Sequence, residues 1–287
     1  ADRELNLVSA CFTVEGISIM DITRNFQVRT WVKYTNGVVE YGDPYYASVA
    51  TYAAAAAVYF NGEGDGNNSV TGDSDSMNTL KWQRVYTALL DYAAAVQKYY
   101  GFSGVPANAY LPDGVSRLPK IEAEDASNMT ELEGARAEVA GASVWLDSQM
   151  NIMIALNVNG NAAGWRVLVD TNPNFSSPQY FRMYDMRDEY GTGDGDEELP
   201  FTHIMMPLTV SAANYRTKYY FKVVDHEGKD ASGVLTYSVE SYVARMHAED
   251  PENTRLLELL DSMLVFCRAV NAVGQGNYYE DWTPDIT

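Results

Sequence analysis

One short pattern stands twice in this sequence and constrains the fold more than any other feature. Residues 46–56 read YASVATYAAAA and lead, past an acidic stretch, to ALLDYAAAVQKYYG; residues 237–247 read YSVESYVARMH and lead to LLDSMLVFCRAVNAVG. Repetition of a supersecondary unit is a statement about architecture. Ser48, Val49 and Tyr52 match Ser238, Val239 and Tyr242, while Leu89, Tyr92, Ala93 and Val96 match Met263, Phe266, Cys267 and Val270. The offset is 190 for the first helix and 174 for the second, so the first copy carries 16 more residues between them, within NGEGDGNNSVTGDSDSMN. Upstream, Gly37 in VKYTNGVVEY matches Gly228 in VVDHEGKDAS.

Each copy reads as strand, turn, strand, short helix, loop, long helix. FQVRTWVKY and KYYFKVVDH alternate with period 2 ahead of Asn-Gly and Glu-Gly turns. Positions 49, 52, 53 and 56, then 89, 92, 93, 96 and 100, recur at helical spacing. On this reading Tyr52 and Tyr242 are core residues. Ser48 and Ser238 stand where N-caps belong, and Gly101 and Gly274 where the long helices stop.

Strand candidates without a counterpart in the first copy fill residues 138–210: EVAGASVWLD, NIMIALNV, WRVLVDT, QYFRMYD and FTHIMMPLTV. The fold class expected is α+β: two related units, each an antiparallel, sandwich-like sheet with two C-terminal helices, the second complete and the first partial. The boundaries expected are 1–102 for the first unit, 103–137 for a connector bearing Pro106, Pro112 and Pro119, and 138–287 for the second unit and its tail.

The formal charge of −19 argues against nucleic acid and anionic lipid headgroups as partners. No apolar run approaches the length of a membrane span, so no membrane insertion is expected. No signal peptide is legible, and the opening ADRELN suits either a cytosolic chain or a trimmed mature piece. Cys11 and Cys267 do not make a disulfide framework; Cys267 falls on the apolar face of the last helix and reads as a buried free thiol.

The YSV-x-SY pattern, the helix of form ALL-x-Y-AAA-VQ-x-YYG and the strand–turn lead-in resemble a repeat module of large secreted and cell-surface proteins of gut Clostridia (Lachnospiraceae and Ruminococcaceae type). The match is close in residues 46–52, 88–101 and 236–243 and looser in 256–274. With its strands it covers about two-thirds of the chain. The resemblance implies an extracellular or surface-attached location and supplies no catalytic motif.

His203, His226 and His247 form no metal-spaced pair, there is no GxSxG, and GEGDG at 62–66 follows a helix and carries acids that repel phosphate. Two acidic loops carry oxygen ligands suited to calcium: Asp65, Asp73 and Asp75 in one, Asp194, Asp196 and Glu197 in the other, neither with EF-hand spacing. Calcium is thus the one cofactor to consider, and none is required. Two aromatic clusters suit a binding surface, Tyr41, Tyr45 and Tyr46 ahead of the first helix and Tyr278, Tyr279 and Trp282 near the end. The function expected is a non-catalytic binding or adhesion module whose partner is an extracellular macromolecule, a host immunoglobulin or glycoprotein. The alternatives are a polysaccharide-binding module, a structural spacer and, from the abundance of carboxylates, a glycosidase.

Overall fold

A computed structural model describes residues 16–59, 73–146, 149–186 and 202–274. They form a mixed α/β structure of antiparallel sheets and four α-helices. The first part contains β1 (Phe26–Val28), β2 (Trp31–Lys33), β3 (Val39–Tyr41), β4 (Tyr45–Ala47), α1 (Val49–Tyr59) and α2 (Asp73–Tyr99). Then follow β5 (Asn128–Met129), β6 (Ala137–Leu146), β7 (Met150–Val158), β8 (Arg166–Asp170), β9 (Gln179–Asp185), β10 (His203–Met205) and β11 (Leu208–Val210). The last part holds β12 (Tyr219–Val224), β13 (Leu235–Tyr237), α3 (Val239–Glu249) and α4 (Thr254–Gly274).

Nine strands make one antiparallel sheet in the order β5, β13, β12, β8, β9, β10, β7, β6, with β11 beside β7 beyond the end of β10. Period-2 alternation fixes which residues turn inward. Ile152, Ile154 and Leu156 of β7, Val167 and Val169 of β8 and Phe221 and Val223 of β12 are all buried in one core with Val243 of α3 and Leu260 and Leu264 of α4. A bulge between Val139 and Gly141 bends β6 along β7. The strands of the first part stay outside this sheet. They form two separate pairs, β1 with β4 and β2 with β3.

Matched stretches share their hydrogen bonds as well as their letters. Ser48 Oγ accepts from the Thr51 amide at 3.0 Å, and Ser238 Oγ accepts from the Ser241 amide at 3.0 Å. The helices that follow, α1 and α3, are each 11 residues long. Gly37 (φ +86°) donates to Tyr34 O and Gly228 (φ +83°) to Asp225 O, closing the two turns with glycine in the left-handed region. Short 3₁₀ turns, Ile19–Asp21 and Ala212–Asn214, precede the strands, and the Ala50 and Glu240 amides donate back to the residues that end them, Ile22 O and Tyr215 O. An amide side chain on each long helix ties it to its 3₁₀ turn: Gln97 Nε2 donates to Met20 O at 3.1 Å and Asn271 Nδ2 to Ala213 O at 2.5 Å.

The two long helices, α2 and α4, pack on each other. Lys98, at the end of α2, pairs with Glu258 near the start of α4, whereas Val85 and Ala88 share a cluster with Ala269 near its end, so the helices run antiparallel. Midway between, Tyr92 stacks on Phe266 with ring centroids 5.8 Å apart and planes at 16°. Tyr92 and Phe266 hold matched places in the two sequence stretches.

Two details correct the sequence reading. The buried face of α1 is Ala50, Ala53, Ala54 and Ala57, while Tyr52 is 65% exposed and meets Tyr86 edge-on at 6.0 Å. Alanines let α1 approach α2 closely, and a tyrosine has no room there. Tyr242 does pack against the main core. The acidic stretch is also shorter as a loop than expected, because α2 already begins at Asp73. At its other end Gly101 (φ +72°) closes α2 as expected, with the Phe102 amide donating to Gln97 O. The three histidines lie apart, His203 on β10, His226 in a turn and His247 in the last turn of α3.

Both serine caps are testable. Ser48→Ala and Ser238→Ala should each lower stability by about 1 kcal/mol in chemical denaturation.

Candidate binding surface

The β1–β4 and β2–β3 pairs come from a sequence whose letters alternate, but among the described residues no third strand joins either pair. Successive residues of a strand point to opposite faces. Tyr45 and Tyr46 are 70% and 62% exposed, so both faces of β4 are open. On β2 the same holds, with Trp31 61% and Val32 56% exposed. Val28, Tyr34, Val38, Val39 and Tyr41 add to this apolar surface.

The matched strands late in the chain are closed. Phe221 and Val223 of β12 and Leu235 and Tyr237 of β13 are all buried. The difference is in their neighbours. β12 is flanked by β8 and β13 by β5, whereas among the described residues β1 and β4 pair only with each other.

Local chemistry holds the open surface in shape. Tyr34 Oη donates to Glu40 Oε2 at 2.7 Å across the β2–β3 hairpin, and the Arg29 guanidinium lies 4.1 Å from the centre of the Tyr41 ring. The bond to Glu40 raises the Tyr34 phenol above its ordinary range. The Gly42 amide donates to Thr30 O at 2.9 Å, and a Cβ at Gly42 would stand 2.4 Å from Thr30 Oγ1, so a side chain there requires the Thr30 hydroxyl to turn away.

Of the binding residues expected from sequence, Tyr41, Tyr45 and Tyr46 are all exposed, Tyr41 on β3 of one pair and Tyr45 and Tyr46 on opposite faces of β4 in the other. Tyr278, Tyr279 and Trp282 lie outside the described residues, as do Asp65, Asp194, Asp196, Glu197 and Cys11. Asp73 and Asp75 belong to the first turn of α2 rather than to a loop. Among the described residues, no group of three or more His, Cys, Asp or Glu is arranged to hold a metal ion. Sequence reasoning missed Trp31. Its signal was there: it shares a parity with Gln27, Arg29 and Lys33, the polar side of an alternating strand, where a tryptophan has no core to enter.

Two clefts flank the long helices. One, of about 950 Å³, lies between α2, α4 and residues 102–120. Its charges are tied in pairs: Lys98 with Glu258, Arg117 with Asp91 at 2.5 Å, and Asp261 with both Lys120 at 2.7 Å and His247 Nε2 at 2.8 Å. That arrangement latches residues 117–120 onto the helices. The other, of about 770 Å³, is mostly apolar, with Gln149, Thr209, Ser211 and Asn214 among its lining, and is lined by matched residues from both parts, Ile17 with Val210, Leu89 with Met263 and Tyr92 with Phe266. Cys267 lines it too. This thiol is free, and burial pushes its pKa up to about 12, so it is protonated at neutral pH and unsuited to nucleophilic work.

Among the described residues, no helix is long and apolar enough to cross a membrane. Comparison of the chain with protein-family models, with curated proteins and with solved structures found no match.

Proposed function

We propose that this chain is a non-catalytic binding module of an extracellular bacterial surface protein, and that its first part presents a bare sheet to a protein partner. In this reading the chain is two related α+β units packed about a two-fold axis at Tyr92 and Phe266, one with a completed sheet and one without. One contrast carries the proposal: at matched positions Val223 is 1% exposed and Val32 is 56% exposed. Isolated hydrophobes on a surface need no explanation, but contiguous ones mark interaction sites. Trp31, Tyr34, Tyr41, Tyr45 and Tyr46 are also of the types that dominate protein interfaces. The resemblance to clostridial surface modules supports the location.

A pull-down against serum immunoglobulins, host glycoproteins and polysaccharide arrays tests the reading. A protein should be retained, and Trp31→Ala with Tyr41→Ala should weaken its binding at least tenfold, about 1.4 kcal/mol or more. Retention of a protein unaffected by these changes would contradict it.

A second reading, polysaccharide binding, is favoured by a different face. On β9, Tyr180 and Tyr184 are 59% and 50% exposed on either side of Arg182, which lies directly opposite Arg166 of β8. Two guanidiniums side by side suit the carboxylate of an acidic sugar, with the tyrosines as platforms. Retention on acidic polysaccharide, lost on Arg182→Ala, would favour this reading over the first.

A further inference from the structure

Resting on the reading of the β1–β4 surface as a binding site, we infer that its partner contributes an extended strand, which adds antiparallel along the edge of β1 that no strand among the described residues occupies. The late part of the chain supplies the pattern. Val28 of β1 matches Phe221 of β12, and Phe221 lies opposite Val169 of β8. The incoming strand takes the place along β1 that β8 takes along β12, with an apolar residue opposite Val28. Strand addition of this kind draws affinity from main-chain hydrogen bonds and specificity from alternate side chains.

The two bare edges are not equivalent. In the late part, β5 reaches β13 because Gly233 lets the Thr130 carbonyl approach; a Cβ on Gly233 would stand 1.8 Å from Thr130 O. Val234 completes the contact, its amide donating to Thr130 Oγ1 at 2.8 Å. Ahead of β4 the matched residues are Asp43 and Pro44. Aspartate fills the space that glycine leaves, and proline has no amide proton, a usual means of closing an edge. β1 carries no proline, and Gln27, Val28, Arg29 and Thr30 are all exposed.

Charge narrows the occupant. Acidic residues outnumber basic ones 39 to 20 in the chain, yet residues 24–34, RNFQVRTWVKY, hold three cations and no acid; Arg24 pairs with Asp21 at 3.0 Å, which leaves Arg29 and Lys33 to meet a partner. Pairing of β1 with β1 of a second copy would set these cations against each other. The structure points instead to a foreign segment that alternates β-branched or aromatic residues with aspartate or glutamate.

The test is to pan a display library of random 12-residue peptides on the whole chain and to follow the tightest peptide by amide hydrogen exchange. Enriched peptides should alternate apolar and acidic residues, should protect the Phe26–Val28 amides more than tenfold, and should bind about fivefold more weakly to Lys33→Glu. If binding is lost on Trp31→Ala while the Phe26–Val28 amides gain no protection, the surface is a binding site but strand addition is wrong. No enrichment, or protection away from both β1 and the aromatic residues, overturns the inference and the reading on which it rests.

Discussion

Replacing Phe221 by alanine should destabilise the chain by about 3–5 kcal/mol, because this ring is buried in the main core and its removal leaves a cavity. A fairer comparison deletes the same atoms from both parts. Val223→Ala removes two methyl groups from a fully packed site and should cost about 2–3 kcal/mol. Val32→Ala removes the same groups from the matched strand, where they are in solvent, and should change stability by less than about 1 kcal/mol, the residual being strand propensity. Urea denaturation of the three variants measures all of this. Equal losses at Val32 and Val223 would mean that the first sheet is covered, and the binding surface would disappear with its exposure.

The second large effect is expected at Gln97, a polar residue 1% exposed on α2. Its Nε2 donates to Met20 O at 3.1 Å, and its Oε1 accepts from the buried Ala107 amide at 2.9 Å. Alanine orphans both partners at once. Each lost partner costs about 1–3 kcal/mol, so Gln97→Ala should lose about 3 kcal/mol in total. The matched Asn271→Ala breaks a single bond, to Ala213 O, and should lose about half as much. Denaturation midpoints of the two variants check the ratio. A neutral Gln97→Ala would show that the 3₁₀ turn at residues 19–21 is not held by α2.

Much of this was written in the sequence at positions where chemistry is local. A serine cap, a glycine turn and a helix stop each depend on a few neighbouring atoms, so Ser48 and Ser238, Gly37 and Gly228, and Gly101 could be placed without knowing what packs on them. Periodicity failed where it met alanine. In a run of five alanines, Ala53 to Ala57, every face is equally apolar, and the choice was made by α2, which excluded Tyr52. The Tyr92–Phe266 stack was out of reach for another reason. Matching two residues in an alignment says that they occupy like positions, not that they touch; contact requires the antiparallel packing of α2 on α4.

The candidate surface was half legible. Tyr41, Tyr45 and Tyr46 stood out by residue type, but their exposure depends on there being no further strand beside them among the described residues, and absence of a neighbour leaves no mark in a strand's own letters. Asp43 and Pro44 are the exception. They differ from Gly233 and Val234 in the way that a closed edge differs from a paired one.

Amide hydrogen exchange of the unliganded chain tests the central claim most directly, because it compares matched strands within one molecule. The account predicts strong protection of Phe221 and Val223, held in β12 between β8 and β13, and rapid exchange across Val28, Val32 and Tyr45 in the bare pairs. Protection of the first strands equal to that of β12 and β13 would contradict it.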